Sequence, residues 1–120
     1  SYLAILHDST ITIKDKIDAL FTSIGDEHSN MQYYDFFHRV ENEELHEQLS
    51  IKLCKYMYPH LLEAVKKAIA AKEIYIENPE ALISFIIYGQ VGLLSKSNID
   101  HHEVAKLLNQ YVNQLMKFNP

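Results

Sequence analysis

Apolar residues recur along this chain at the spacing of α-helices. After Thr12, five of them fall at i, i+4, i+7, i+8 and i+11, which places them on one helix face. These residues are Ile13, Ile17, Leu20, Phe21 and Ile24. After Asp100, the closing segment repeats the pattern through Val104, Leu107, Leu108, Tyr111, Val112 and Leu115. Both stripes predict amphipathic helices, each starting at a capping residue.

The middle of the chain also has helical periodicity, interrupted by turn signals. Leu45, Leu49, Leu53 and Tyr56 form one stripe. Pro59 suits the first turn of a new helix, so we expect a separate helix from there to about Lys72. Asn78 and Pro79 predict the cap and first position of the next helix. The sequence therefore predicts one all-α domain over residues 1–120, with six or seven helices.

The segment "SFIIYGQVGLLS" holds two of the three glycines, Gly89 and Gly92, in an almost unbroken apolar run. Residues three apart lie close together on a helix, so these glycines would let another backbone approach closely. We expect this helix and the closing one to pair with their copies in a two-fold four-helix interface. The predicted interface residues are Phe85, Tyr88, Gly89, Gly92, Leu93, Val104, Leu108, Tyr111 and Leu115. The alternative is a central core helix whose small residues mark one internal crossing.

Composition narrows the possible partners. The net charge is −5, and no basic run is longer than two residues, so this chain alone lacks the basic face that binds DNA.

The only cysteine, Cys54, cannot form an internal disulfide, and we expect a buried, inert thiol. The longest apolar run, residues 81–94, is shorter than the about 20 residues of a membrane span. With no signal peptide visible, we expect a cytoplasmic protein without membrane contact.

Seven histidines raise the possibility of a metal site. Glu43 and His46 have the i, i+3 spacing of di-iron bundles, but no second pair runs in that order. His101 and His102 are adjacent and do not face the same way on a helix. We expect no metal, no cofactor and no enzymatic activity, and a metal-dependent bundle enzyme is the least favoured alternative.

The order of these features resembles the C-terminal effector-binding and dimerisation domain of TetR-family transcriptional regulators. "SYLAILHDSTITIKDKIDALF" is similar to the end of that family's connecting helix (residues 1–8) followed by its first pocket helix. "PHLLEAVKKAI" and the "ENPEAL" turn resemble the passage into the dimerisation helices, here residues 79–118. The N-terminal helix-turn-helix that defines the family is absent from these residues, so we expect a chain that begins partway through a longer protein.

The resemblance implies an allosteric function. A small apolar or aromatic effector would occupy a cavity among the middle helices, where residues 30–40 are rich in aromatic side chains. DNA would be contacted only through the missing N-terminal domain of a homodimer. By helix face and side-chain type, the expected cavity residues are Leu20, Phe21, Ile24, Tyr34, Phe37, His38, Leu53, Met57 and Leu61. An aromatic-rich core without a cavity, and a helical module that recruits a different protein, remain alternatives.

Overall fold

The computed structural model describes residues 2–25, 43–94 and 101–117. These ranges contain five α-helices and no strand. The helices are α1 (Tyr2–His7), α2 (Ile13–Gly25), α3 (Glu43–Ala70), α4 (Pro79–Leu94) and α5 (His101–Met116). The prediction of an all-α chain is confirmed. The helix expected within residues 30–40 lies outside the described residues, so the six or seven helices expected for the whole chain stay a prediction.

The predicted start signals of α2 and α4 are both present. The Asp15 backbone N–H donates a hydrogen bond of 3.2 Å to the Thr12 side-chain oxygen. At α4, the Ala81 N–H donates to Asn78 Oδ1, also at 3.2 Å. Each cap satisfies one of the backbone donors that a helix start leaves without a partner.

The expected helix break at Pro59 is wrong, because α3 continues through it from Glu43 to Ala70. A proline inside a helix costs about 3 kcal/mol, chiefly because it cannot donate to the carbonyl four residues earlier. Pro59 and Lys55 are both exposed, so water can reach the carbonyl that loses its donor. Core residues on both sides of the proline, such as Cys54 and Val65, favour one continuous helix.

A tight turn ends α3 and places Glu73 next to the start of α2. Lys72 adopts a left-handed backbone conformation with φ of 62°. The Glu73 N–H donates to the Ala68 carbonyl at 2.9 Å, and the Lys72 N–H to the Ile69 carbonyl at 3.0 Å. This is the hydrogen-bond pattern of a Schellman motif. The turn lets Glu73 Oε2 accept a hydrogen bond of 3.2 Å from the Ile13 N–H, at the start of α2.

The core joins two helix pairs, since α2 packs mainly on α5 and α3 mainly on α4. The short helix α1 contacts both α2 and α3. Three side chains, Val65, Ile83 and Val104, are fully shielded from solvent and come from α3, α4 and α5. The apolar stripe of α2 supplies Ile13, Ile17 and Phe21 to the same cluster. Burial of these stripes stabilises the fold by about 1.5–3 kcal/mol per large side chain.

Candidate functional site

Helix α4 has an exposed face without charged residues. Phe85 is 70% exposed, and Ala81, Gly89 and Gly92 are exposed beside it. At about 100° per residue these four positions span less than a quarter of the helix circumference. Ile83, Ile86 and Ile87 on the other side are buried in the core. We call the four exposed residues the α4 apolar face.

Among the residues that the structure describes, no neighbour requires either glycine of this face. A Cβ atom built on Gly89 or Gly92 would meet no other heavy atom within 4 Å. Each glycine costs about 0.5–1 kcal/mol of helix stability relative to alanine. The internal helix crossing that would justify small residues at these two positions is therefore not seen.

Some of the predicted interface residues lie at the surface, and others are buried in the core. Tyr111 and Leu115 of α5 are 48% and 47% exposed. By contrast, Val104 at 0% and Leu108 at 6% are covered within the chain and present no surface to a partner. The spacing placed all four on one stripe, but packing of α5 on α2 covers only part of it. Tyr88 and Leu93 of α4 are partly buried against the core, at the edges of the α4 apolar face.

The predicted effector-pocket residues that the structure describes mostly lie in the core. Phe21 and Leu61 are 1% and 2% exposed, and Leu20 and Met57 pack against the same cluster. Leu53 is 55% exposed and lies outside that cluster. Tyr34, Phe37, His38 and the side chain of Ile24 lie outside what the structure describes. Two cavities stand out among the described residues, and Leu20, Phe21, Leu53, Met57 and Leu61 line neither of them.

The more enclosed cavity lies where α1, the start of α2 and the end of α3 meet. Its volume is about 180 Å³. The wall consists of Leu6, His7, Ser9, Ile11, Ile13, Lys16, Ala64, Lys67, Ala68, Ala71 and Glu73. Most of these are apolar, and the polar groups are two ammonium groups, one imidazole, one hydroxyl and one carboxylate. We call this the α1–α3 cavity.

Lys16 is the one buried charged residue in the described ranges, at 7% exposure. None of the ion pairs within the described residues involves Lys16. The nearby carboxylate of Asp8 accepts hydrogen bonds from the Thr10 N–H at 2.9 Å and hydroxyl at 2.6 Å. These bonds, and to a smaller extent the charge of Lys16, lower the pKa of Asp8.

Sequence analysis missed Lys16 as a functional candidate. It stands three residues after Ile13 and four before Leu20, inside the apolar stripe of α2. The sequence did contain a signal that Lys16 is buried, since it is a charged residue within an apolar stripe and stripe positions of an amphipathic helix face the core.

Two histidines connect α1 to α3 beside this cavity. His7 Nε2 lies 3.1 Å from His60 Nδ1, so one ring nitrogen donates and the other accepts. The Tyr56 ring lies 5.3 Å from the His60 ring. Within the described residues, no group of three or more metal-ligating side chains is found. The side chains of Glu43, His46, His101 and His102 fall outside them.

A wider groove of about 430 Å³ runs along one face of α3, lined by Tyr58, Pro59, Leu62, Glu63, Lys66, Lys67 and Ala70. Lys66 at its edge forms an ion pair of 2.8 Å with Glu80 at the start of α4. This hydrogen bond raises the pKa of Lys66 and lowers that of Glu80. The Tyr58 hydroxyl donates to the Glu80 carbonyl oxygen at 3.2 Å, which further joins α3 to α4.

Cys54 is buried, as predicted from the sequence. Its exposure is 8%, and its thiol donates a long hydrogen bond of 3.6 Å to the Ile87 carbonyl. Burial raises the pKa of the thiol, which disfavours the reactive thiolate. No helix in the described ranges is long and apolar enough to cross a membrane.

Comparisons of the chain with protein-family models, curated proteins and solved structures found no match. The functional assignment therefore rests on the residues and geometry of the chain itself.

Proposed function

We propose that this chain is the ligand-sensing and dimerisation domain of a TetR-like transcriptional regulator, active as a homodimer. In this proposal an effector held among the helices changes the position of α1. That movement controls a DNA-binding domain preceding residue 1. An effector acts in this way only if it binds the two arrangements with different affinities.

The α4 apolar face carries the dimer part of the proposal. A two-fold axis brings a surface against its own copy, so any charge on that surface faces the same charge or lies near it. This face has none, and its glycines leave room for a second backbone. An exposed phenylalanine at its centre has the character of an interface anchor. A second copy of the chain is therefore the occupant that best fits the face.

The substitution Phe85→Ser tests the dimer by removing the largest exposed apolar side chain of the face. Tyr75→Ser is the matched control, since Tyr75 is 81% exposed in the α3–α4 connector, away from the face. We expect sedimentation velocity to show a dimer for the unaltered chain and for Tyr75→Ser, and a monomer for Phe85→Ser. A monomeric unaltered chain at tens of micromolar would instead favour a module that recruits a different protein.

The regulatory part has its own test, which is independent of oligomeric state. The coding sequence upstream of residue 1 should encode a helix-turn-helix domain, whose second helix enters the DNA major groove. An upstream sequence without that motif would remove the basis for a regulator, even if the dimer were found.

A further inference from the structure

Lys16 lines the α1–α3 cavity, and within the described residues its ammonium group forms no ion pair. Three other lysines, Lys14, Lys66 and Lys67, form ion pairs with Asp18, Glu80 and Glu63 at the protein surface. Lys16 is far more buried than these and has no such carboxylate. The Lys16 side chain is largely buried, and an ammonium group without an ion pair beside a cavity attracts an anion that enters it.

The acidic side chains near the cavity make hydrogen bonds elsewhere. Asp8 accepts its bonds from Thr10, and Glu73 accepts one from the Ile13 backbone N–H. Ser9 also lines the cavity and supplies a hydroxyl group. A carboxylate ligand in the cavity would add an acceptor for the Lys16 ammonium group.

The cavity's size and wall restrict the body of such a ligand. A cavity of about 150 Å³ lined by apolar side chains accommodates benzene, so about 180 Å³ suits a molecule slightly larger than that ring. Six of the eleven wall residues are apolar, namely Leu6, Ile11, Ile13, Ala64, Ala68 and Ala71. Such a wall favours an apolar body over a second charge. A phosphate dianion fits less well, because Lys67 already pairs with Glu63 at 3.2 Å.

We propose that the α1–α3 cavity binds a small monocarboxylate, whose carboxylate pairs with the Lys16 ammonium group while its apolar body fills the space against Leu6 and Ala68. The binding step does not depend on the dimer. Its possible effect on a DNA-binding domain does rest on the proposed function, since α1 supplies Leu6 and His7 to the cavity wall.

Isothermal titration calorimetry with benzoate, benzyl alcohol and inorganic phosphate tests the site. Benzoate and benzyl alcohol share the ring and differ in charge, so their affinity ratio measures the contribution of the ion pair. We expect benzoate to bind the unaltered chain at least about tenfold more tightly than either of the other two. Equal affinity for benzoate and benzyl alcohol, or for benzoate and phosphate, would overturn the proposal.

Lys16→Met removes the charge and keeps a similar side-chain shape. We expect it to weaken benzoate binding roughly tenfold to a hundredfold and to leave benzyl alcohol binding unchanged. The control Lys14→Met removes an exposed lysine two residues earlier on the same helix and should leave both affinities unchanged. Unchanged benzoate affinity in a folded Lys16→Met chain, as judged by circular dichroism, would contradict the site.

A measurement on the unaltered chain covers the case in which the variant does not fold. Addition of benzoate should shift the methyl NMR resonances of Leu6 and Ile13, which line the cavity, and leave those of Ile86 and Val112 unmoved. Binding that shifts neither Leu6 nor Ile13 would place the ligand elsewhere and refute the proposal. Sedimentation of the same samples reports the dimer separately, so the failure of one proposal is distinguishable from failure of the other.

Discussion

The glycines of the α4 apolar face allow a test in which stability and association should change in opposite directions. The perturbation is the double substitution Gly89→Ala and Gly92→Ala. Within one chain, each new methyl group enters open space, because no heavy atom lies within 4 Å of either Cβ position. Helix propensity then stabilises the chain by about 0.5–1 kcal/mol per site. Two sites give roughly 1–2 kcal/mol, which raises the Tm of a chain of this size by about 4–8 °C.

Association should respond in the other direction if two α4 helices meet at these glycines. Added methyl groups in a closely packed contact typically cost about 1–3 kcal/mol. The dimer dissociation constant should therefore rise at least tenfold, since about 1.4 kcal/mol corresponds to a factor of ten. Sedimentation equilibrium measures this constant. Thermal unfolding at several protein concentrations measures stability, and only a dimer has a Tm that depends on concentration.

Two outcomes would refute this reasoning. A higher Tm with an unchanged dissociation constant would show that the glycines lie outside the interface. A lower Tm at every concentration would show that they occupy an internal contact after all. Gln110→Ala is a suitable control, because it adds helix propensity on the exposed polar face of α5 and should change neither quantity by much.

Three further predictions concern the core, a helix cap and an ion pair. Phe21→Ala should destabilise the chain by about 3–5 kcal/mol in urea unfolding, because Phe21 is 1% exposed; a loss below about 1 kcal/mol would indicate a loosely packed site. Asn78→Ala should cost about 0.5–2 kcal/mol in the same assay, whereas Asn78→Asp, which keeps the accepting oxygen, should cost much less. Glu80 has a lowered pKa in the folded chain, so its pairing with Lys66 stabilises above the unfolded-state pKa and is lost as the pH falls. Thermal unfolding of the unaltered chain and of Glu80→Gln should therefore differ near neutral pH and converge below about pH 4; a constant difference would contradict the pairing.

Local sequence signals were sufficient to predict α2, α4 and α5. The stripe of α2 and the caps at Thr12 and Asn78 depend on neighbouring residues, and each appears where the pattern placed it. The burial of Cys54 also followed from its position in the middle of a helical segment and from the usual burial of free cysteines. These signals depend only on residues within one or two helical turns, so they can be recognised without knowledge of the rest of the chain.

Features that depend on distant residues were decided by the tertiary structure. The sequence rule for Pro59 predicted a helix start, but α3 contacts α4 before the proline through Cys54 and after it through Lys66, and these contacts favour one continuous helix. Helical spacing put Val104 and Tyr111 on one stripe, and only the packing of α5 on α2 shows that the first is buried while the second is exposed.

The environment of Lys16 is the clearest case of this dependence. Its place in the stripe of α2 is visible in the sequence, but its cavity is closed by residues of α1 and of the turn after α3, about 50 positions further along the chain. Whether a charge is buried and what surrounds it depend on which segments meet in space. The sequence by itself therefore determined the starts of α2 and α4 and which helix faces are apolar, and the tertiary structure decided that α3 continues through Pro59 and which of the apolar faces are buried.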